Sequence, residues 1–232
     1  MTRLASLLPV LFAGLFALSV AADEKADAAK SKKALQEIGE FIGQWNLDAK
    51  PAKGPSWKET PTFGWKFKKD ESWIEIENRD GKQFTKGELK YLADKKLYQL
   101  TTTDKDKKTQ VFTGDFKRGT MKLEAKEAKS GDVHRLTINT LSEGVRLSVN
   151  YEVQAGGKGL FAGVYKAAGT KEGESFAGGA ATKKPECVVT GGVGTTTVQF
   201  NGKTYYVCCS GCRDEFMESP KKYVDAFEKK NK

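Results

Sequence analysis

From Gly43 to Ala168, short runs alternate apolar with polar residues, and a turn signal breaks each run. Period-two alternation puts every second side chain on one face of an extended chain, so the pattern selects strands with one buried face. After an opening strand at Gly43-Gln44-Trp45, the spacing predicts strands over 63–68, 72–77, 84–92, 96–102, 109–116, 120–125, 133–140, 145–153 and 160–167. Between them sit tight turns such as Arg79-Asp80-Gly81, Ala93-Asp94-Lys95 and Ser142-Glu143-Gly144. Connections this short force antiparallel neighbours and an up-and-down meander. About ten such strands close most simply into a barrel, which removes exposed edges.

The flanking segments differ in composition. Arg3 precedes an uncharged apolar run, Leu4 to Val20, and Ser19-Val20-Ala21-Ala22 then offers small residues before Asp23-Glu24-Lys25. This is the pattern of a cleaved export signal over residues 1–22, too short for a bilayer span, so the expected compartment is a periplasm or the extracellular space, with no stable membrane insertion after cleavage. Residues 23–40 read as a charged leader and a short amphipathic helix, with Ala34, Leu35, Ile38 and Phe41 at helical spacing. The barrel is expected over 41–168. Residues 169–184 gather Gly, Ala, Lys and Glu without period, the composition of a flexible linker. The net charge of +9 comes from dispersed lysines. No basic stripe interleaved with aromatics accompanies it, which argues against nucleic acid as a partner.

All four cysteines fall in the remaining segment, 185–232, as Cys187, Cys208, Cys209 and Cys212. Asn201-Gly202 between Val198-Gln199-Phe200 and Lys203-Thr204-Tyr205-Tyr206-Val207 is a strong hairpin signal. The second hairpin strand runs into Cys208-Cys209, and Ser210-Gly211 turns into a helix carrying Cys212 and Phe216. Ser219-Pro220 marks a further helix as cap and first-turn proline, with Tyr223, Val224 and Phe227 on one face. A knuckle, hairpin and helices of this size need a crosslink or a metal. Thiolates suit a soft or borderline metal, and a helix start with Lys183, Lys184, Lys203 and Arg213 nearby favours their charge. Export also permits disulfides from Cys187 to the cluster, and Cys209-Ser210-Gly211-Cys212 is a C-x-x-C at a helix start, as in thiol oxidoreductases. The residues alone leave these three chemistries open.

The run from Glu186-Cys187-Val188-Val189 through Asn201-Gly202-Lys203-Thr204-Tyr205-Tyr206 to Phe216, Pro220 and Tyr223 resembles a YHS-type domain of the TRASH group of treble-clef-like modules. That pattern has a first Cys, a second roughly twenty residues on and a third four positions later, as Cys187, Cys208 and Cys212 stand here. The Tyr-His-Ser triplet that names the family is absent, and the module holds no His. The resemblance implies binding of zinc or copper by Cys187, Cys208 and Cys212 in sensing, trafficking or buffering, and no catalysis is expected. Cys209 is an extra thiol beside the pattern, a fourth ligand or a bystander, the former being the expectation. The alternatives are a thiol-disulfide oxidoreductase and a carrier that takes a small apolar ligand in the barrel above a disulfide-stapled module. The Gly-x-Trp at Gly43-Gln44-Trp45, after a short helix, resembles the opening of lipocalin-like barrels.

Elsewhere the chemistry is sparse. Trp45, Trp57, Trp65 and Trp73 are expected to fill the barrel interior, Glu75 and Glu77 to be solvated, and His134, the one histidine, to be an ordinary strand residue.

Overall fold

A computed structural model of the protein describes residues 13–142, 144–173 and 184–231. Helix α1 (Ala13–Glu37) leads into a 3-10 turn at Gly39–Phe41. Thirteen strands and two helices follow: β1 (Gly43–Pro51), β2 (Trp57–Glu59), β3 (Thr62–Lys68), β4 (Glu71–Glu77), β5 (Lys86–Leu92), β6 (Leu97–Thr103) and β7 (Thr109–Lys117) come first. Then come β8 (Thr120–Lys126), β9 (Val133–Leu141), β10 (Arg146–Gln154), β11 (Ala162–Lys171), β12 (Thr196–Phe200), β13 (Lys203–Val207), α2 (Ser210–Glu218) and α3 (Pro220–Lys230).

Ten strands form a closed antiparallel barrel. Strands β3 to β11 pair in sequence order, and β1 closes the ring by pairing Trp45 through Pro51 with Lys171 through Tyr165 of β11. Strand β2 is an addition the alternation did not announce. It pairs with β1 at Leu47 to Ala49 and is parted from β3 at Pro61, which has no N–H to give to a ladder. Strand β11 continues to Lys171, past the expected barrel boundary at 168, because Gly169, Thr170 and Lys171 find partners on both β1 and β10 or its turn. The remainder of the expected linker, 174–183, lies outside the described residues.

Inward positions of the strands carry the core: Leu47, Phe63, Ile74, Leu89, Leu100, Phe112, Leu123, Leu136 and Leu147 are buried. Trp45 and Trp65 are wholly enclosed as expected, with 0% and 1% of their surface exposed. Trp57 and Trp73 are only half-buried: Trp57 pairs with buried Ala49 and packs at the margin of the core, whereas Trp73 faces outward, which corrects its assignment to the interior. Trp57 stacks on Tyr165 at 5.5 Å, and Trp73 lies on the face opposite buried Ile74, under the Lys90 ammonium. The sheet's period of two fixes that outcome for Trp73.

The helix is longer than expected and runs through the junction after Ala22, while residues 1–12 lie outside the described residues. Among the described residues, no helix is long and apolar enough to cross a membrane. The C-terminal half of α1 packs on the barrel through buried Leu35 and Ile38, and Tyr98 donates its hydroxyl to the Ala34 carbonyl at 2.8 Å. Phe41 then plugs the barrel end, 6.3 Å from the Phe63 ring and 5.9 Å from Phe116, and its carbonyl accepts the Trp45 indole N–H at 2.9 Å. The interior behind this plug leaves a cavity of only ≈ 60 Å³.

Candidate metal centre

The cysteine-rich region folds as the turn chemistry demands. Strands β12 and β13 pair from Thr196↔Val207 to Phe200↔Lys203, and Asn201 (φ 48°) and Gly202 (φ 74°) take the left-handed pair that a tight hairpin requires. The segment from Cys187 to Gly192 closes into a knuckle: the Cys187 N–H donates to the Gly192 carbonyl at 2.6 Å and Gly191 N–H to the Cys187 carbonyl at 2.8 Å. Helix α2 begins directly after β13, so Cys212 sits in its first turn, where backbone N–H groups lack helical partners. Pro220 opens α3 as expected, but Ser219 makes no side-chain cap; its backbone N–H instead ends α2 on the Glu215 carbonyl.

Three chain segments therefore converge. The Sγ atoms of Cys187, Cys208 and Cys212 lie within 4.8 Å of one another, and all three residues are buried. Cys208 and Cys212 are 3.4 Å apart, and Cys208 and Cys209 3.9 Å. Thiolates at tetrahedral angles on bonds of about 2.3 Å are roughly 3.8 Å apart, so these spacings suit ligands of one ion. All four are free thiols. The Thr190 hydroxyl, also buried, lies 3.6 Å from the Cys208 sulfur and 3.9 Å from that of Cys212.

Four thiols this close cannot all ionise. Cys187 and Cys209 are held far below the ordinary thiol range because Cys208 and Cys212 donate S–H to them, against the opposing effect of burial. Cys208 and Cys212 are pushed up, first by that same donation to Cys187 and also by burial. A cation bound there would displace the remaining thiol protons.

Cys209 is not among the mutually close three. Its sulfur accepts the backbone N–H of Trp65 at 3.4 Å. Strand β3 has β4 on one side, but β1 pairs with it only at Phe63 and Thr62, which leaves the Trp65 edge open. The start of α2 covers that edge. A Cβ on Gly211 would lie 1.7 Å from the Trp65 carbonyl oxygen, so only glycine permits this approach. Helix α1 joins the same interface: Gln36 donates to the Thr190 carbonyl at 2.6 Å, and the Lys32 ammonium lies 5.6 Å from the Phe67 ring and 5.5 Å from that of Tyr223.

No family model matches this chain, and no curated protein matches it either.

The positive charge near the thiols differs from that expected. Lys203 pairs with Glu228 and Arg213 with Asp214, both in solvent, while Lys183 lies outside the described residues. Lys32 is the ammonium felt by Cys212 and Cys187; burial, then Lys222, lowers its pKa. Lys32, Thr190 and Trp65 carried no local signal of a role at the thiols, since each reaches them through tertiary packing. A cleft of ≈ 570 Å³ between barrel and cysteine region reaches Cys208 and Thr190 and is lined by Glu37, Glu40, Glu172 and Glu186 as well as Lys171 and Lys184.

Proposed function

We propose that the protein binds a soft or borderline metal ion, zinc or copper, through Cys187, Cys208 and Cys212, with Cys209 as the fourth thiol, in metal sensing, trafficking or buffering. The observation that carries this reading is the convergence of three buried sulfurs within 4.8 Å from a knuckle, a strand end and a helix start. Buried thiols need a partner for their charge, and a metal supplies it for all of them at once. The likeness of Cys187, Cys208 and Cys212 to the YHS pattern supports the same reading. The metal is the bound species; the sulfurs would hold it, the Thr190 hydroxyl would fix the Cys208 sulfur, and the burial of the cluster would exclude water.

A thiol oxidoreductase attacks with the first cysteine of its C-x-x-C, here Cys209, and the engagement of that sulfur by the Trp65 N–H at the junction with β3 disfavours this reading. The barrel cavity of ≈ 60 Å³ is far below the roughly 300 Å³ of the smallest common ligand pockets, which disfavours a carrier of apolar molecules. Export, with cleavage after Ala22 and function in a periplasm or outside the cell, belongs to this proposal on the strength of the N-terminal pattern.

The test is elemental analysis with a free-thiol count on full-length protein purified from an export-competent host. About one zinc or copper per chain, released when the thiols are alkylated, supports the reading. Absence of metal together with four oxidised thiols overturns it.

A further inference from the structure

At the start of β9 a second group of donors converges. Glu127, Asp132 and His134 each place one ligand atom within 4.8 Å of the other two. We propose that they form a separate metal site of different chemistry: a divalent first-row ion held by one imidazole nitrogen and two carboxylates, with water completing its shell. Imidazole with carboxylate oxygen suits manganese, iron or zinc, whereas the thiol cluster suits softer ions.

The histidine is set up for this role. Its Nδ1 lies 2.6 Å from the Tyr151 hydroxyl, and its ring stacks on Tyr151 at 5.9 Å and 15°. With Nδ1–H donating to that oxygen, the lone pair stands on Nε2; ligating histidines are oriented by such a bond on the other nitrogen. Only 16% of the His134 side chain is exposed.

The spacing suits ligands of one ion better than a hydrogen-bonded pair. Nε2 and the Glu127 carboxylate are 4.0 Å apart, beyond hydrogen-bond reach. Two atoms bound to one ion at about 2.1 Å stand roughly 3–4 Å apart. One residue on, Arg135 meets Glu124 at 2.9 Å, the distance an ordinary pair adopts on this strand. Both carboxylates are held in place: Asp132 Oδ1 accepts the Gly156 N–H at 2.7 Å, and Glu127 Oε2 accepts the Ser130 hydroxyl at 2.9 Å. Glu127 Oε2 is also the oxygen nearest His134 Nε2, and a carboxylate oxygen that accepts one hydrogen bond keeps a lone pair for an ion.

The site is independent of the thiols. His134 begins β9, whereas Thr140, which donates to Glu40 beside the cysteine-region cleft, is near its other end, a strand rise of about 20 Å away.

Manganese(II) is the probe, because it is paramagnetic and thiols compete poorly for it. Full-length protein is titrated with Mn²⁺ while the free-ion electron paramagnetic resonance signal is followed, and proton NMR monitors the ring of the single histidine. The expected result is one Mn²⁺ taken up per chain, with the His134 ring signals broadened first. His134→Gln and Glu127→Gln should each weaken binding at least about tenfold with circular dichroism unchanged, and Tyr151→Phe should weaken it through orientation of the ring. Cys212→Ser should leave it intact. An unchanged Mn²⁺ signal at millimolar protein, or uptake unaffected by His134→Gln, overturns the proposal.

Discussion

The backbone N–H of Trp65 donates to the Cys209 sulfur at 3.4 Å, across the junction between barrel and cysteine region. An open strand edge is otherwise a template for association with another chain. Here α2 covers it, so the region that gathers the thiols also caps the barrel.

The close approach at this junction makes Gly211 irreplaceable. Gly211→Ala should lift α2 from β3, because a methyl group there meets the Trp65 carbonyl. A loss of about 1–3 kcal/mol is expected from such overpacking. Faster amide exchange at Trp65 with the rest of the barrel unchanged would confirm it, and wild-type protection there would refute it.

The thiols should not contribute equally to metal retention. Replacement of Cys187, Cys208 or Cys212 by Ser should each abolish stoichiometric retention in a chelator competition. Cys209→Ser should weaken retention less, since its sulfur is also engaged by Trp65 N–H, and should loosen the junction. Thr190→Val should cost roughly tenfold in affinity, the scale of an outer-shell hydrogen bond.

Trp45 ties the barrel plug to the strand that closes the ring. Its indole is wholly buried and donates to the Phe41 carbonyl, so Trp45→Ala should cost about 3–5 kcal/mol in denaturant unfolding. Trp73→Ala, on the outer face, should cost clearly less.

Alkaline pH should unfold the protein through its buried phenols. Tyr98 is pushed well above the ordinary tyrosine range by burial, then by Glu37, and Tyr165 by burial, then by Glu59, to whose carboxylate it donates a hydrogen bond. The folded state therefore holds these protons more tightly than the unfolded chain does. Stability from this source is full below about pH 10 and falls as pH rises above it. Tyrosinate absorbance rising together with loss of circular dichroism is the expected record; complete tyrosine ionisation before unfolding would contradict it.

The barrel strands were legible because alternation and turn residues act locally, and observed bounds differ from expected ones by a residue or two in most strands. The hairpin at Asn201-Gly202 and the helix carrying Cys212 were legible for the same reason. What alternation could not show was the break at Pro61 or the outward face of Trp73, because register decides which parity of a strand turns inward. For the cysteines, spacing set Cys187, Cys208 and Cys212 apart from Cys209, as the structure does, but not that Cys209 meets the Trp65 N–H.

By itself, then, the sequence determined a meander of antiparallel strands and a separate thiol-rich hairpin and helix, since backbone sterics and side-chain period operate over a few residues. Only the tertiary structure decided that β1 closes on β11, that Gly211 seals the open edge of β3, and that Thr190 and Lys32 stand beside the sulfurs. Those relations join residues far apart in the chain. They follow from which backbone groups each neighbouring strand leaves unpaired, and a local pattern carries no record of that.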